Sequence, residues 1–269
     1  MIIAVDVGGT KTLVAGFDTN QQELWSVKFE TPHAYEEFLP RLIEEIKKQN
    51  IDGAVGIVVG LPGRLDRKNG IGIAFGNLNW KNIHIVDDIR KDLDLPVFIE
   101  NDAKLAALAE AQEHPDNRHI LYITISTGIG TGVVTNGRLN PSLINTEGGH
   151  ILLPHDGGFI SWEKLASGLE ITHDFHQRAS EITDPAVWEQ IAHHLTPGFG
   201  ANIAIVAPDL VIVGGGVGHY LENFKDTLVS DLRVNFAPVV TLPPIVRAVH
   251  PDEAVIYGCY HYGKQVWNF

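Results

Sequence analysis

A short apolar run that breaks into a glycine loop and resumes as a second apolar run occurs twice in this chain, and the repetition limits its fold more than any other feature. Residues 2–7 run into Gly8-Gly9-Thr10-Lys11 and continue as 12–17; residues 119–126 run into Thr127-Gly128-Ile129-Gly130-Thr131-Gly132 before Val133-Val134. Each is the pattern of two strands joined by a glycine turn, a β-hairpin. Such a loop has two uses: it makes a tight reversal, or it lets main-chain N–H groups approach phosphate oxygens with no side chain in the way. In the first copy Thr10 and Lys11 supply further donors, and Asp6 is placed to bind a magnesium ion directly or through water. Two such loops facing each other can hold a phosphate chain from both sides. Neither is a P-loop, whose lysine follows a longer glycine-spaced loop and opens a helix.

Between the hairpins, Pro96-Val97-Phe98-Ile99 reads as a short buried strand that delivers Asn101-Asp102 to the start of a helix beginning at Ala103. Ligands of open α/β sheets bind at the carboxyl ends of strands. Asp102 is therefore either the N-cap of that helix or a base that takes a proton from a substrate hydroxyl. Around this junction the pattern predicts a strand over 24–31, a helix over 35–48 with Phe38, Leu42 and Ile46 on one face, and a strand over 53–59 that ends in the loop Gly60-Leu61-Pro62-Gly63. A loop at Asn77-Leu78-Asn79-Trp80 and a helical stretch over 86–93 follow.

Beyond the second hairpin, Asn136-Gly137 marks a tight turn. Glu147 and His150, separated by two glycines, are spaced to present two polar side chains to a sugar, ahead of a strand over 151–154. Trp162 opens a helical region, and residues 184–206 read as helix interrupted or kinked at Pro197-Gly198. A strand over 209–213 ends in Gly214-Gly215-Gly216, where either a ring or phosphate, or simply a packed helix, approaches the backbone; a helix over 221–232 follows. Residues 253–267 carry small and apolar residues at helical spacing and are expected to pack on a sheet. Strands alternating with helices imply sheets with parallel members covered by helices.

Composition narrows the function. At 269 residues the chain is one large domain or two modest ones. Its formal charge of −13 argues against a nucleic-acid-binding surface. No apolar run reaches the roughly 18 to 20 residues of a membrane span, and Met1-Ile2-Ile3-Ala4-Val5-Asp6 reads as a first strand, neither a signal nor a transit peptide. With Cys259 as the one cysteine, no intrachain disulfide or cysteine cage can form, and a cytoplasmic location is expected. The histidines, His173 with His176 and His193-His194 among them, lack zinc-ligand spacing and read as surface groups.

Taken in order, Asp6-Val7-Gly8-Gly9-Thr10-Lys11, Gly60-Leu61-Pro62-Gly63, Glu100-Asn101-Asp102-Ala103, Thr127-Gly128-Ile129-Gly130, Glu147-Gly148-Gly149-His150, Glu163 to Gly168 and Gly214-Gly215-Gly216-Val217 resemble the ROK family of sugar kinases and sugar-responsive repressors. The resemblance implies an α/β, two-lobed actin-like ATPase (ribonuclease-H-like) fold with mixed sheets flanked by helices. It implies a smaller lobe of residues 1–104 with a C-terminal helix at about 253–269, and a larger lobe of 105–252. By the same resemblance Asp102 is the catalytic base, and Gly63, Asn101, Asp102, Glu147, His150 and Glu163 bind the sugar. Asp6, Gly8, Gly9, Thr10, Lys11, Thr127, Gly128, Gly214, Gly215 and Gly216 bind nucleotide or phosphate.

The implied reaction is transfer of a phosphoryl group from ATP to a hexose, at the 6-hydroxyl of glucose or a related sugar, with Mg2+ and in a homodimer. The family's cysteine cluster, which binds a structural zinc, is missing from 155–161, so no zinc is expected. No helix-turn-helix precedes the first strand, which points away from the repressor branch. Asn145-Thr146-Glu147 is similar to the polyphosphate-dependent glucokinases of the family, leaving polyphosphate as an alternative donor. A non-catalytic sugar sensor that keeps the pocket is the reading from a different class.

Overall fold

Both faces of the first strand are covered, which is why its sequence does not alternate. In β1 (Ile2–Val7), Ile3, Val5 and Val7 belong to one hydrophobic cluster, and Ile2 and Ala4 to another on the opposite face. β2 (Lys11–Phe17) and β3 (Glu23–Glu30) extend the sheet antiparallel. The amphipathic helix α1 (Tyr35–Lys47), which buries Phe38, Leu42, Ile43 and Ile46, crosses over to β4 (Gly56–Leu61), parallel to β1. The short strands β5 (Arg64–Asp66), β6 (Ile71–Ala74) and β7 (Lys81–Ile83) form their own antiparallel sheet. After α2 (Ile85–Leu93) the chain enters β8 (Val97–Asn101), parallel to β4, and passes directly into α3 (Asp102–Gln112).

The plan then repeats. β9 (His119–Ile125), β10 (Ile129–Thr135) and β11 (Arg138–Leu139) are antiparallel, with Asn136 and Gly137 at φ of 52° and 70°, the left-handed pair that a tight hairpin turn needs. β12 (Leu152–His155) and β13 (Gly158–Ser161) pair as a separate hairpin. Then come α4 (Trp162–Ala166), α5 (Gly168–Phe175) and α6 (Pro185–Val206). β14 (Leu210–Gly214) lies parallel to β9, and after α7 (Gly215–Gly218) and α8 (Leu221–Phe236), β15 (Ile245–Arg247) lies parallel to β14. The sheet orders are β3-β2-β1-β4-β8 and β11-β10-β9-β14-β15, three antiparallel strands followed by two parallel ones in each.

The computed structural model describes every residue except Asn77, Ala237, Pro238, Pro251, Asp252, Asn268 and Phe269; Asn77 of the expected loop and the last two residues of the expected C-terminal segment thus lie outside the described residues. The chain divides into two compact units, Met1–Ala109 with Glu253–Phe269 and Glu110–Asp252, so the boundary falls inside α3, a few residues beyond the expected 104. α9 (Ala254–Trp267) returns to the first unit. There Ile256, Cys259 and Tyr260 pack with Leu105 against Ile2, Ala4 and Val58. In the second unit, Glu110 opens the segment as a fully buried carboxylate that accepts the N–H groups of Val249 and His250, both at 2.7 Å.

The break expected at Pro197-Gly198 is absent, and α6 is continuous through it. Pro197 removes one donor from the helix, while nearby side chains take up carbonyls around it: Thr196 Oγ1 donates to Ala192 O and Asn202 Nδ2 to Gly198 O, each at 2.9 Å. The apolar face of Trp188, Ile191, Leu195, Phe199 and Ile203 holds the helix in the core. Gly198 lies directly beneath the buried Trp162 ring, where a Cβ would overlap indole atoms. The loop expected at 60–63 is shorter, because β4 continues through Leu61 and only Pro62-Gly63 turns.

Helix propensity alone favours Gly198→Ala by about 1 kcal/mol. Overpacking against an immobile ring costs roughly 1–3 kcal/mol and should win. The melting temperature of Gly198→Ala is therefore expected to fall by a few degrees, and an unchanged or raised value in a thermal melt would contradict the packing argument.

Candidate active site

In the first unit the carboxyl ends of β1, β4 and β8 lie side by side, with Asp6 opposite Gly60, Gly60 opposite Glu100, and Leu61 opposite Asn101. Asn101 Oδ1 accepts the Lys104 N–H at 3.3 Å, the bond of an N-cap, and its Nδ2 donates to Gly63 O at 3.3 Å. Asn101 thus supplies a bond of the N-cap type, and Asp102 Oδ1 accepts the adjacent Ala103 N–H at 2.8 Å. Gly63 has φ of +89°, and a Cβ there would overlap the Ala74 carbonyl, so only glycine makes this turn. Glu100, 1% exposed, receives a guanidinium fork from Arg67: Nε lies 2.9 Å from Oε1 and 2.7 Å from Oε2, and Nη2 also bonds Oε1.

Asp6 and Asp102 act on each other electrically. Burial first, and the Asp102 charge second, push the Asp6 carboxyl up to about 7, against the opposing pull of Lys28. Cys259 lies below, its Sγ 3.7 Å from Val5 O, its thiol raised by burial and then by the Asp6 charge. The first glycine loop is tied from beneath by threonines. Gly8 N–H donates to Lys11 O at 3.0 Å, Thr31 Oγ1 to Gly8 O at 2.8 Å and Thr31 N–H to Thr10 O at 3.0 Å, and Thr12 and Thr31 share a buried hydroxyl contact of 2.9 Å. Thr10 and Lys11 are exposed. With Gly9 and Lys28 they line a cavity of about 960 Å³ that also contains Glu30 and Glu37.

In the second unit the glycine loop is held differently. Ser126 N–H donates to Gly128 O at 2.8 Å, Gly168 N–H to Ser126 O at 2.7 Å, and Ile129 N–H to Glu163 Oε2 at 2.9 Å. Glu163, expected as a sugar ligand, here anchors the loop carrying Thr127 and Gly128. Glu147 and His150 are exposed at either end of a single 3-10 turn, whose Gly148 N–H donates to Thr131 Oγ1 at 3.0 Å. Thr127, Gly215 and Gly216 line one cavity of about 810 Å³. Gly214, by contrast, is the buried last residue of β14. Arg178, Ser180, His219 and Tyr220 line the same cavity and carry no motif that would have singled them out.

Among the described residues no group of three or more His, Cys, Asp or Glu side chains is placed to hold a metal ion, and no helix is long and apolar enough to cross a membrane. A single divalent cation at Asp6 fits the chemistry of the first unit, because positive charge there would relieve the repulsion between Asp6 and Asp102.

The fold has solved counterparts. A ROK hexokinase from Thermus thermophilus is 27% identical, with a TM-score of 0.83 covering 100% of this chain and 99% of the other. A ROK family glucokinase from Streptomyces griseus, solved with glucose and AMPPNP, is 22% identical, with a TM-score of 0.82 over 98% of this chain and 99% of the other. The fold is that of the actin-like ATPases. Among curated relatives, an N-acetyl-D-glucosamine kinase from Salmonella paratyphi A is 29% identical across 96% of this chain and 97% of its own length. The model of the ROK family matches residues 2–265, and the chain belongs to that family.

The raised Asp6 carboxyl has a thermodynamic consequence. The folded protein holds this proton more tightly than the unfolded chain, so the stabilisation is full below about 4, the unfolded value, and is lost as pH rises through about 7. The melting temperature is expected to drop between pH 5 and pH 8 by more in the parent than in Asp6→Asn. Equal drops in the two proteins would show that Asp6 does not titrate in this range.

Proposed function

We propose that the protein is a sugar kinase that transfers the terminal phosphoryl group of ATP to a hexose hydroxyl, with Asp102 as the base. The observation that carries this reading is the β8–α3 junction: Asn101 ends β8 at the carboxyl edge of the sheet, and Asp102 follows directly as the first residue of α3. In the proposed reaction Asp102 accepts the proton of the attacking hydroxyl. The sugar oxygen forms a bond to the γ-phosphorus as the bond to the ADP oxygen breaks in line, and the protein's work is positioning and charge neutralisation. Gly8, Gly9, Thr10 and Lys11 in the first unit, with Thr127 and Gly128 in the second, would hold phosphates. The adenosine would occupy the cavity at Gly215 and Gly216 beside Gly214. Asp6 would hold Mg2+, directly or through water, and the ion would neutralise charge on the phosphates.

On the sugar, Asn101, Glu147, His150 and Glu163 would bond ring hydroxyls, with the Gly63 turn alongside. Carboxylates and imidazole suit this work because each bridges or accepts from adjacent hydroxyls, and a site built on such bonds rejects sugars that leave them unpaired. Glucose, phosphorylated at the 6-hydroxyl, is the proposed substrate, and the similarity to an N-acetyl-D-glucosamine kinase puts the 2-acetamido sugar beside it in the panel. Polyphosphate is the second donor reading. It is favoured by Lys11 and Lys28 in the cavity beside Gly9 and Thr10 and opposed by Glu30 and Glu37 in the same cavity. A homodimer in the cytoplasm completes the proposal.

The test is a product assay crossing glucose, mannose, fructose and N-acetylglucosamine with ATP and polyphosphate, with and without magnesium. Asp102→Asn is expected to lower kcat by roughly 10²–10⁴-fold, the usual contribution of a general base, while sugar still raises its melting temperature. Turnover close to the parent's in Asp102→Asn would remove Asp102 as the base. Sugar-dependent stabilisation of the parent with no phosphorylated product from any donor would identify a sensor in place of a kinase.

A further inference from the structure

We propose that Arg67 is a positioning residue for the Asn101–Asp102 junction, acting through the buried carboxylate of Glu100; this rests on the reading of Asp102 as the base. Glu100 is the only charged residue of β8, and at 1% exposure its carboxylate is shielded from bulk solvent. Arg67, 24% exposed, meets both carboxylate oxygens with its fork, and the N–H of Asn101 donates to Oε1 at 2.6 Å. The same carboxylate thus fixes the peptide that leads into Asn101 and is itself fixed from the far side by β5 and its following turn. Asn101 then ties back to Gly63 O. The short segment from Gly63 to Arg67 is therefore fastened twice to the end of β8, immediately before the residue read as the base.

A buried ion pair is a poor source of net stability, but removing one partner leaves an uncompensated charge. Without the guanidinium, the Glu100 carboxylate is left buried and unpaired, and swinging toward water disturbs its bond to the Asn101 N–H. Asp102 follows one residue later, and a displacement of about 1 Å in a positioned group is enough to cost on the order of 10²-fold in rate. Lysine does not replace this arginine, because a point charge cannot engage both oxygens of the carboxylate in one plane. If the pair served only to hold down the β5–β7 sheet, its loss would lower the melting temperature and leave the turnover of each folded molecule unchanged.

The experiment measures kcat and sugar KM for the parent, Arg67→Met, Arg67→Lys, the double variant Arg67→Met with Glu100→Gln, and Asp102→Asn. Glucose and N-acetylglucosamine are the sugars, ATP with magnesium the donor, and each protein is assayed well below its own melting temperature. Arg67→Met is expected to lose on the order of 10²-fold in kcat, and Arg67→Lys less. The double variant removes the buried charge while keeping an acceptor for the Asn101 N–H, and should recover at least half of the logarithmic loss. Parental kcat in folded Arg67→Met, or a double variant no faster than Arg67→Met alone, overturns the proposal. If neither methionine variant folds, Arg67→Lys decides by the same measure, parental kcat again overturning it. An active Asp102→Asn removes the reading of the base itself, whereas an inactive one beside a fully active Arg67→Met removes only the role of Arg67. A parent inert toward both sugars here, and toward every sugar and donor of the wider product assay, overturns both together.

Discussion

Three parallel strands that end at one edge of one sheet bring Asp6 and Asp102 close enough for the charge of Asp102 to act on the buried Asp6 carboxyl. β1 delivers Asp6 and β8 delivers Asp102, with β4 between them contributing only Gly60 and Leu61 at the corresponding register. The cost appears on Asp6, whose carboxyl is pushed up to about 7 by burial and by Asp102, with Lys28 as a partial counterweight. On the proposed reading, a divalent cation bound at Asp6 would offset that repulsion.

The sequence was most informative where secondary structure is dictated locally. Continuous apolar runs marked β1, β4 and β14 because both faces of those strands are covered, and the alternation of Phe38, Leu42 and Ile46 marked α1. The glycine hairpins were visible, although their sheet order was not, since the pairing of β1 with β4 or β9 with β14 joins residues far apart in the chain. What escaped was short or non-local. β5, β6, β7 and β15 are too brief for a periodicity of two to register, and the pairing of Arg67 with Glu100 spans 33 residues. One signal did exist: a glutamate inside the apolar run Phe98-Ile99-Glu100 announces a buried charge and hence a partner to be found. Pro197 misled for the opposite reason, because local propensity was overridden by the packing of α6 along its whole apolar face.

The two glycine loops share a strand plan but not a means of support, and on the proposed reading the difference bears on what each unit contributes. The Gly8–Lys11 loop is braced by Thr31 and Thr12 from within its own sheet, so its backbone shape is independent of any residue read as a sugar ligand. The Thr127–Gly128 loop is braced by Glu163, whose Oε2 holds the Ile129 N–H at 2.9 Å. A carboxylate has two oxygens. On the proposed reading, Oε1 would bond a sugar hydroxyl while Oε2 keeps its hold on the loop, so that one side chain links the acceptor to the phosphate-binding backbone of the second unit. Glutamine could keep its oxygen on the Ile129 N–H but would then offer the sugar hydroxyl only a donor, reversing the direction of that bond. A carboxylate, with acceptors on both sides, satisfies the two demands at once, and that is a physical reason for an acid at position 163 whether the sugar is glucose or its 2-acetamido derivative.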